Sequence, residues 1–363
     1  MAIDTPYRAI FCDLTTDQTI DILPLRDVSF DDYIGKAGSL SGTIPIPNKD
    51  IADRVKKVRE GRTAIYLERG GDLWWGGIVW TTTLQSSGRG VLTLSLQAAT
   101  FDSYASRRRI RTNIQLTDDQ LAIARRLWTE LTKAPCFEIV TGEELSGTQR
   151  TVNYRVGDET VYQEALDQLA AMQNGFEYQI LVYRDPEDGR RVRELRLGAP
   201  KIRTGATDML FDRPGVILSY SFPYDATRGG TTSMARGASV NPNAGAESRP
   251  LYSDEQIDTG LLHDGWPLID LSSDHNEISD QTTLNQLAKA ELDGALGAVL
   301  IPAISIHLGG IVPPALLGRV ARIRITDEWF STGLDARYRI IGVKVTPPER
   351  GRPDTAELYL EEA

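Results

Sequence analysis

The sequence predicts a mainly β protein, in which two small antiparallel β-barrel-like domains flank an α/β insertion. Three observations lead there. Apolar and polar residues alternate with period two at both ends of the chain; Ala321, Ile323 and Ile325, for example, are interleaved with Arg322, Arg324 and Thr326. Glycine and proline turns such as Gly70-Gly71-Asp72 and Gly309-Gly310 separate these short runs. In the middle the period changes, and Leu121, Ala124, Leu127, Trp128 and Leu131 fall on one helical face.

Taken in order, residues 7–14, 19–24, 28–34 and 35–46 read as strands, the last after a loop. Ile51, Val55 and Val58 form the apolar face of a short helix over 51–60, stopped by Gly61. Residues 63–69 and 73–84 make a hairpin about Gly70-Gly71-Asp72, and 91–98 is a further strand. These elements define a first β domain over 1–105.

The insertion spans 106–205. Thr117 is expected to cap a helix with Asp118 and Asp119 in its first turn, and a second helix from 158 ends at Asn174-Gly175. Residues 176–184 and 191–197 follow as a hairpin. The second β domain, 206–363, begins with paired strands at 216–222 and 231–238, and contains a linker loop, 239–280, and a helix, 282–296. Its remaining strands are 303–308, 318–326, 336–346 and 355–360.

Composition bounds the function. An apolar fraction of 41% and a charged fraction of 25% are those of a globular protein. A net charge of −10 argues against a surface built to hold nucleic-acid phosphates or anionic lipid. Cys12 and Cys136 stand in no metal-binding or disulfide pattern, which suits a reducing compartment. The start of the chain has no basic segment leading into an apolar run, and the most apolar stretch, 295–306, is short and broken by Pro302. No signal peptide or membrane anchor is expected.

No catalytic, cofactor or metal site is expected either. His263, His275 and His307 lie outside any paired ligand spacing, and Asp274-His275-Asn276-Glu277 with Asp280 lacks the pattern of a calcium loop. There is no nucleophile elbow or phosphate loop, and pairs such as Glu143-Glu144 are the background of an acidic chain. Trp74, Trp75 and Trp80 admit two readings, a stacking platform for sugar or nucleobase, or a barrel core with Trp75 at an edge or interface. The basic run Arg107, Arg108, Arg109 and Arg111 invites a nucleic-acid reading, but in an acidic chain it is rather expected to meet carboxylates of a neighbouring domain or subunit. Trp266 and Leu268 are apolar anchors in the linker and complete the interface candidates.

The order of these parts resembles the tail hub, or baseplate hub, of long-tailed bacteriophages and related injection machines. The resemblance rests on Leu73-Trp74-Trp75-Gly76-Gly77-Ile78-Val79 in the first hairpin and on Thr231-Thr232-Ser233-Met234-Ala235-Arg236-Gly237 in the returning strand. It continues with Gly265-Trp266-Pro267 before the linker helix and Leu317-Gly318-Arg319-Val320 in the terminal domain. It implies a structural, non-enzymatic homotrimer at the virion tail tip, assembled in the host cytoplasm. In it, two similar barrels per subunit join the six-fold tail tube to the three-fold tip around a channel. Implied partners are a distal tail protein or tube ring, the tape measure protein, and tip, spike or fibre proteins, with DNA passing without specific binding. Fixed negative charge in such a channel repels passing phosphates over roughly a 10 Å Debye length. Some hubs carry a fused peptidase or lysozyme domain; with Ala363 directly after the last strand, none is expected here.

Overall fold

The computed structural model describes residues 6–227, 229–240, 249–276, 278–295, 299–300, 302–347 and 354–362. The fold is mainly β, and it divides into two compact units. The larger comprises Met1–Leu166, Phe176–Tyr220 and Ala303–Ala363; the smaller comprises Asp167–Gly175 and Ser221–Pro302.

The larger unit opens with β1 (Arg8–Asp13), β2 (Thr19–Leu23), β3 (Arg26–Tyr33), β4 (Ser39–Ile46), helix α1 (Lys49–Val55), β5 (Thr63–Arg69), β6 (Asp72–Ser86) and β7 (Leu92–Thr100). A 3-10 turn, Phe101–Arg107, leads to β8 (Ile114–Asp119), α2 (Gln120–Leu131), β9 (Val140–Thr141), β10 (Gln149–Tyr154), α3 (Tyr162–Ala171), β11 (Glu177–Arg184) and β12 (Arg191–Gly198). The expected Thr117 cap is corrected. Thr117 pairs with Thr151 in the β8–β10 ladder, and Asp119 caps α2 by accepting from Leu121 N. β-branched Ile114 and Thr117 prolong the strand until a carboxylate can take over the helix amides.

The chain then forms β13 (Met209–Arg213) and β14 (Ile217–Ser221) before entering the smaller unit. That unit holds β15 (Tyr224–Asp225), β16 (Thr232–Val240), β17 (Arg249–Tyr252), β18 (Gln256–Ile257), α4 (Thr259–His263), β19 (Asp270–Asp274), α5 (Gln281–Gly294) and β20 (Val299–Leu300). The linker expected over 239–280 is therefore a structured segment: β17, β18 and β19 all pair with β16. The strands expected to pair at 216–222 and 231–238 enter different sheets. α5 lays Leu284, Leu287 and Ala288 on Ala235, with Met172, Leu251 and Ile278 around them. Asp280 caps α5 through Thr283 N and Oγ1. Residues 241–248 of the expected loop lie outside the described residues.

The larger unit resumes with β21 (Ala303–His307), a 3-10 turn at Pro313–Ala315, β22 (Val320–Ile325), β23 (Leu334–Thr346) and β24 (Thr355–Glu362). Its main sheet has thirteen strands and contains two runs of one order. The first run is β3-β4-β7-β6-β5-β1, with β2 outside β1; the second is β14-β21-β24-β23-β22-β13. Numbering each run along the chain gives the order 2-3-6-5-4-1 both times. α1 fills the slot between third and fourth strands in the first run, and the Pro313–Ala315 turn fills it in the second.

Details repeat as well. Gly61 and Gly318, with φ of +70° and +80°, precede the fourth strand of each run. Their amides donate to Val79 O and Ile340 O at 2.8 Å. The residue after each acceptor, Trp80 or Ile341, is skipped in the ladder as a bulge. The correspondence breaks at the first strand, since β1 is antiparallel to β5 and β13 is parallel to β22.

The two runs are one sheet because β23 is long. β22 pairs with its first half, up to Arg339, and β3 pairs with its second half, Gly342 to Val345, along the same edge. Gly342 is required there, since a Cβ would lie 2.4 Å from the Tyr33 ring. The segment 106–205 falls mostly in the larger unit, with Asp167–Gly175 in the smaller, and its hairpin β11–β12 packs on the main sheet. At that packing a Cβ on Gly76 of β6 would lie 3.1 Å from Val182 of β11, and Gly35 N donates to Tyr178 O at 2.9 Å.

Candidate assembly interface

Two of the three tryptophans of β6 occupy the core. Trp75, one of the expected interface anchors, is 1% exposed in the chain and donates through Nε1 to Asp31 O at 2.9 Å. Trp74 is buried with its ring edge-on to Tyr7 and the Arg69 guanidinium 5.0 Å above it. Trp80, half-buried at the bulge, donates to Ser103 Oγ and lies under the Arg107 guanidinium. A flat exposed row of three rings, as a sugar platform requires, is not formed. The bulge is the reason, because skipping Trp80 breaks the strict alternation that puts even positions on one face.

The basic run meets partners inside its own chain. Arg108 Nη1 donates to Leu131 O at 2.6 Å, capping the end of α2. Arg109 lies 3.5 Å from the Glu159 carboxylate, and Arg111 pairs with the same group. Arg107 is exposed apart from its place over Trp80. In the smaller unit Trp266 is half-buried and Leu268 is 67% exposed, which leaves Leu268 as a surface apolar group.

Sequence reasoning missed the buried charges that tie the larger unit together. Arg339 has no exposed side-chain surface; it meets Glu177, Glu361 and Ile202 O, linking β23 to β11 and β24. Arg193 donates to Tyr66 Oη at 2.8 Å and to Asp17 at 2.6 Å, while Arg191 takes the other Asp17 oxygen at 2.7 Å. Glu68, nearly fully buried, receives Arg8 and Arg184. Arg69 bonds Asp354 and so links β5 to the segment preceding β24. An arginine at an alternate strand position reads as a solvent-facing residue, so nothing in the alternation marks these as buried. Asp32 is a further case. Some of its surface meets solvent, yet its carboxyl is deep, and burial with the nearby Asp102 carboxylate pushes its pKa well above the ordinary value.

The remaining candidates do not converge. His263 Nδ1 faces Thr259 O, His275 Nε2 faces Ser273 Oγ, and His307 is exposed at the end of β21. Asp274 pairs with Arg236 at 3.4 Å, and Glu277 lies outside the described residues. Among the described residues no group of three His, Cys, Asp or Glu side chains is placed to hold a metal. An open groove of about 730 Å³ beside α2 is lined by Asn113, Gln115, Asp118, Arg125, Arg126 and Lys133, and Arg126 there is paired with Glu130 at 2.8 Å.

Comparison with solved structures identifies the architecture. The 43 kDa tail protein of prophage MuSo2 from Shewanella oneidensis matches with a TM-score of 0.62 at 10% identity, over 98% of each chain. The chain has the fold of phage tail proteins. A tail protein of Neisseria meningitidis MC58 matches at a TM-score of 0.57 and 15% identity, over 98% of this chain and 96% of that one. Prophage tail protein gp18 of Listeria monocytogenes EGD-e matches at 0.52 and 13%, over 97% and 94%. At the level of sequence no family model and no curated protein matches. The tail-protein fold accounts for both strand runs and for the smaller unit together, since nearly the whole chain is aligned.

Proposed function

We propose that this chain is a non-enzymatic structural subunit of a phage tail tip: a homotrimeric hub joining the six-fold tail tube to a three-fold tip. The observation that carries the reading is the repeated 2-3-6-5-4-1 strand order within a chain that has a tail-protein fold end to end. A subunit with two equivalent strand runs offers six similar surfaces per trimer, which suits a junction between six-fold and three-fold rings. Its neighbours in this reading are a distal tail or tube ring, the tape measure protein and tip or fibre proteins, with DNA passing through the enclosed channel. Arg107, Trp266 and Leu268 remain candidate contacts with those neighbours. The carbohydrate-binding alternative is disfavoured by the burial of Trp74 and Trp75.

The test is stoichiometry. Native mass spectrometry of the purified chain is expected to give three copies, and quantified tail particles are expected to give three per tip. One or six copies per tip overturns the reading.

A further inference from the structure

The smaller unit has one covered and one open sheet face. Along β16 the odd residues face α5: Ala235 packs on Leu284, Leu287 and Ala288, and Ser233 Oγ donates to Glu291 at 2.8 Å. Thr232, Met234 and Arg236 therefore point to the other side. Their ladder neighbours share that side: Ile257 and Asp270 flank Thr232, while Tyr252 and Asp274 flank Arg236. The result is a concavity of about 500 Å³, lined in part by Met234, Tyr252, Glu255 and Asp270. Met234, Tyr252 and Ile257 are 38%, 48% and 45% exposed and form an apolar strip across three strands.

Charge says what covers this strip. Arg236 is taken by Asp274 at 3.4 Å, and Asp270 accepts from Thr232 Oγ1 at 2.6 Å. Among the described residues neither Asp270 nor Glu255 meets a lysine or arginine, so the strip is bordered by negative charge with no cation of its own left over. The same sign prevails throughout the unit. Its segments, Asp167–Gly175 and Ser221–Pro302, hold thirteen aspartates and glutamates against four lysines and arginines, a net −9 of the chain's −10. The larger unit, with most of the residues, is close to neutral. A charge gathered in one part of a chain selects partners of opposite sign and speeds their encounter.

We propose that this open face of the smaller unit docks a lysine- and arginine-bearing segment of a partner protein. Both parts of the surface suit such side chains. Their aliphatic stems lie on Ile257 and Met234, the Tyr252 ring takes a cation on its face, and the charged heads reach Glu255 and Asp270. An acidic segment would set like charges against each other, and a nucleic acid would be repelled for the same reason. The inference stands apart from the hub reading, since it requires neither a copy number nor a tail tube.

Peptide binding by the full chain tests it. A short fluorescein-labelled peptide of alternating lysine and serine, titrated at low salt and read by anisotropy, is expected to bind; its glutamate–serine counterpart is not. Glu255→Gln combined with Asp270→Asn is expected to weaken binding at least tenfold, and Tyr252→Ala at least threefold, with circular dichroism spectra unchanged. Asp254→Asn combined with Asp293→Asn removes the same charge on the side of α5, where Asp254 accepts from Asn285 and Asp293 pairs with Lys289. That variant is expected to change binding less than twofold. Equal losses in the two double variants reduce the effect to diffuse charge and overturn the site. A folded Tyr252→Ala that binds as the parent does, or a parent that binds neither peptide, overturns it too. If Tyr252→Ala fails to fold, the two isosteric double variants decide alone. None of these outcomes touches the copy number on which the hub reading is tested.

Discussion

Arg339 and Asp32 show two opposite uses of a buried charge. Arg339 is fully enclosed, with two carboxylates and a carbonyl arranged around its guanidinium. Truncating it leaves Glu177 with the Ile202 amide and Glu361 with Lys201, each of which keeps some contact with water. Arg339→Ala is therefore expected to cost about 3 kcal/mol, the low end of the range for breaking a buried ion pair, as read from urea unfolding. Asp32 has no cation beside it; its near neighbours are Tyr33 N, Gln179 Nε2 and the Asp102 carboxylate. Its folded-state pKa is raised above the ordinary 3.8. Below the unfolded value both states hold the proton, so there is no penalty. As pH climbs toward the raised folded value, the unfolded chain releases the proton first and stability falls. Asp32→Asn removes that loss and offers an amide hydrogen to Gln179 Oε1, which is buried without a donor. The variant is expected to melt higher than the parent at pH 7.5, with the difference shrinking at pH 3.5. An equal difference at both pH values would place the effect elsewhere.

At the scale of elements, local pattern carried the strands and helices but not their partners. β22 was legible because Ala321, Ile323 and Ile325 alternate with arginines and are buried with that period. The β5–β6 hairpin was legible from Gly70-Gly71, whose positive φ values allow the tight turn. β23 was legible as a strand but not in its facing. Tyr338 and Ile340 are buried before the bulge and Val343 and Val345 after it, so the inward parity switches at Ile341. A bulge leaves no mark in a single strand's alternation; it belongs to the pair. The same limit explains the linker. β17, β18 and β19 are two to five residues long, and their ladder partner is β16 in each case, so no one of them shows a period of its own. Of the interface candidates, Trp75 is buried within the chain, a place the sequence did not single out because an aromatic at a strand position fits a core and an interface equally well. Arg108 and Arg109 were read as cations seeking partners; those partners, Leu131 O and Glu159, are in the same chain.

At the scale of the molecule, the repeated strand order suggests two domains, whereas the bonding argues that neither run stands alone. By size, a fragment of residues 1–105 would bury enough surface to fold, since domains of about 55–65 residues do so. Its polar groups argue otherwise. Asp17 loses Arg191 and Arg193, and Glu68, almost without solvent contact, loses Arg184. Arg69 loses Asp354, while β3 loses its four paired residues on β23 and keeps only β4. Removing one partner from a buried ion pair costs about 3–5 kcal/mol. Total stability is only about 5–15 kcal/mol, so two such losses are of the same size as the whole. Expressed alone, 1–105 is expected to show no cooperative thermal transition, and 206–363, lacking Glu177 for Arg339 and β3 for β23, is expected to behave likewise. The full chain should retain a sharp transition in the signal of the larger unit. A cooperative melt of the 1–105 fragment, with strand content matching the full chain, would show that the first run is an autonomous domain and that the charged ties are incidental to it.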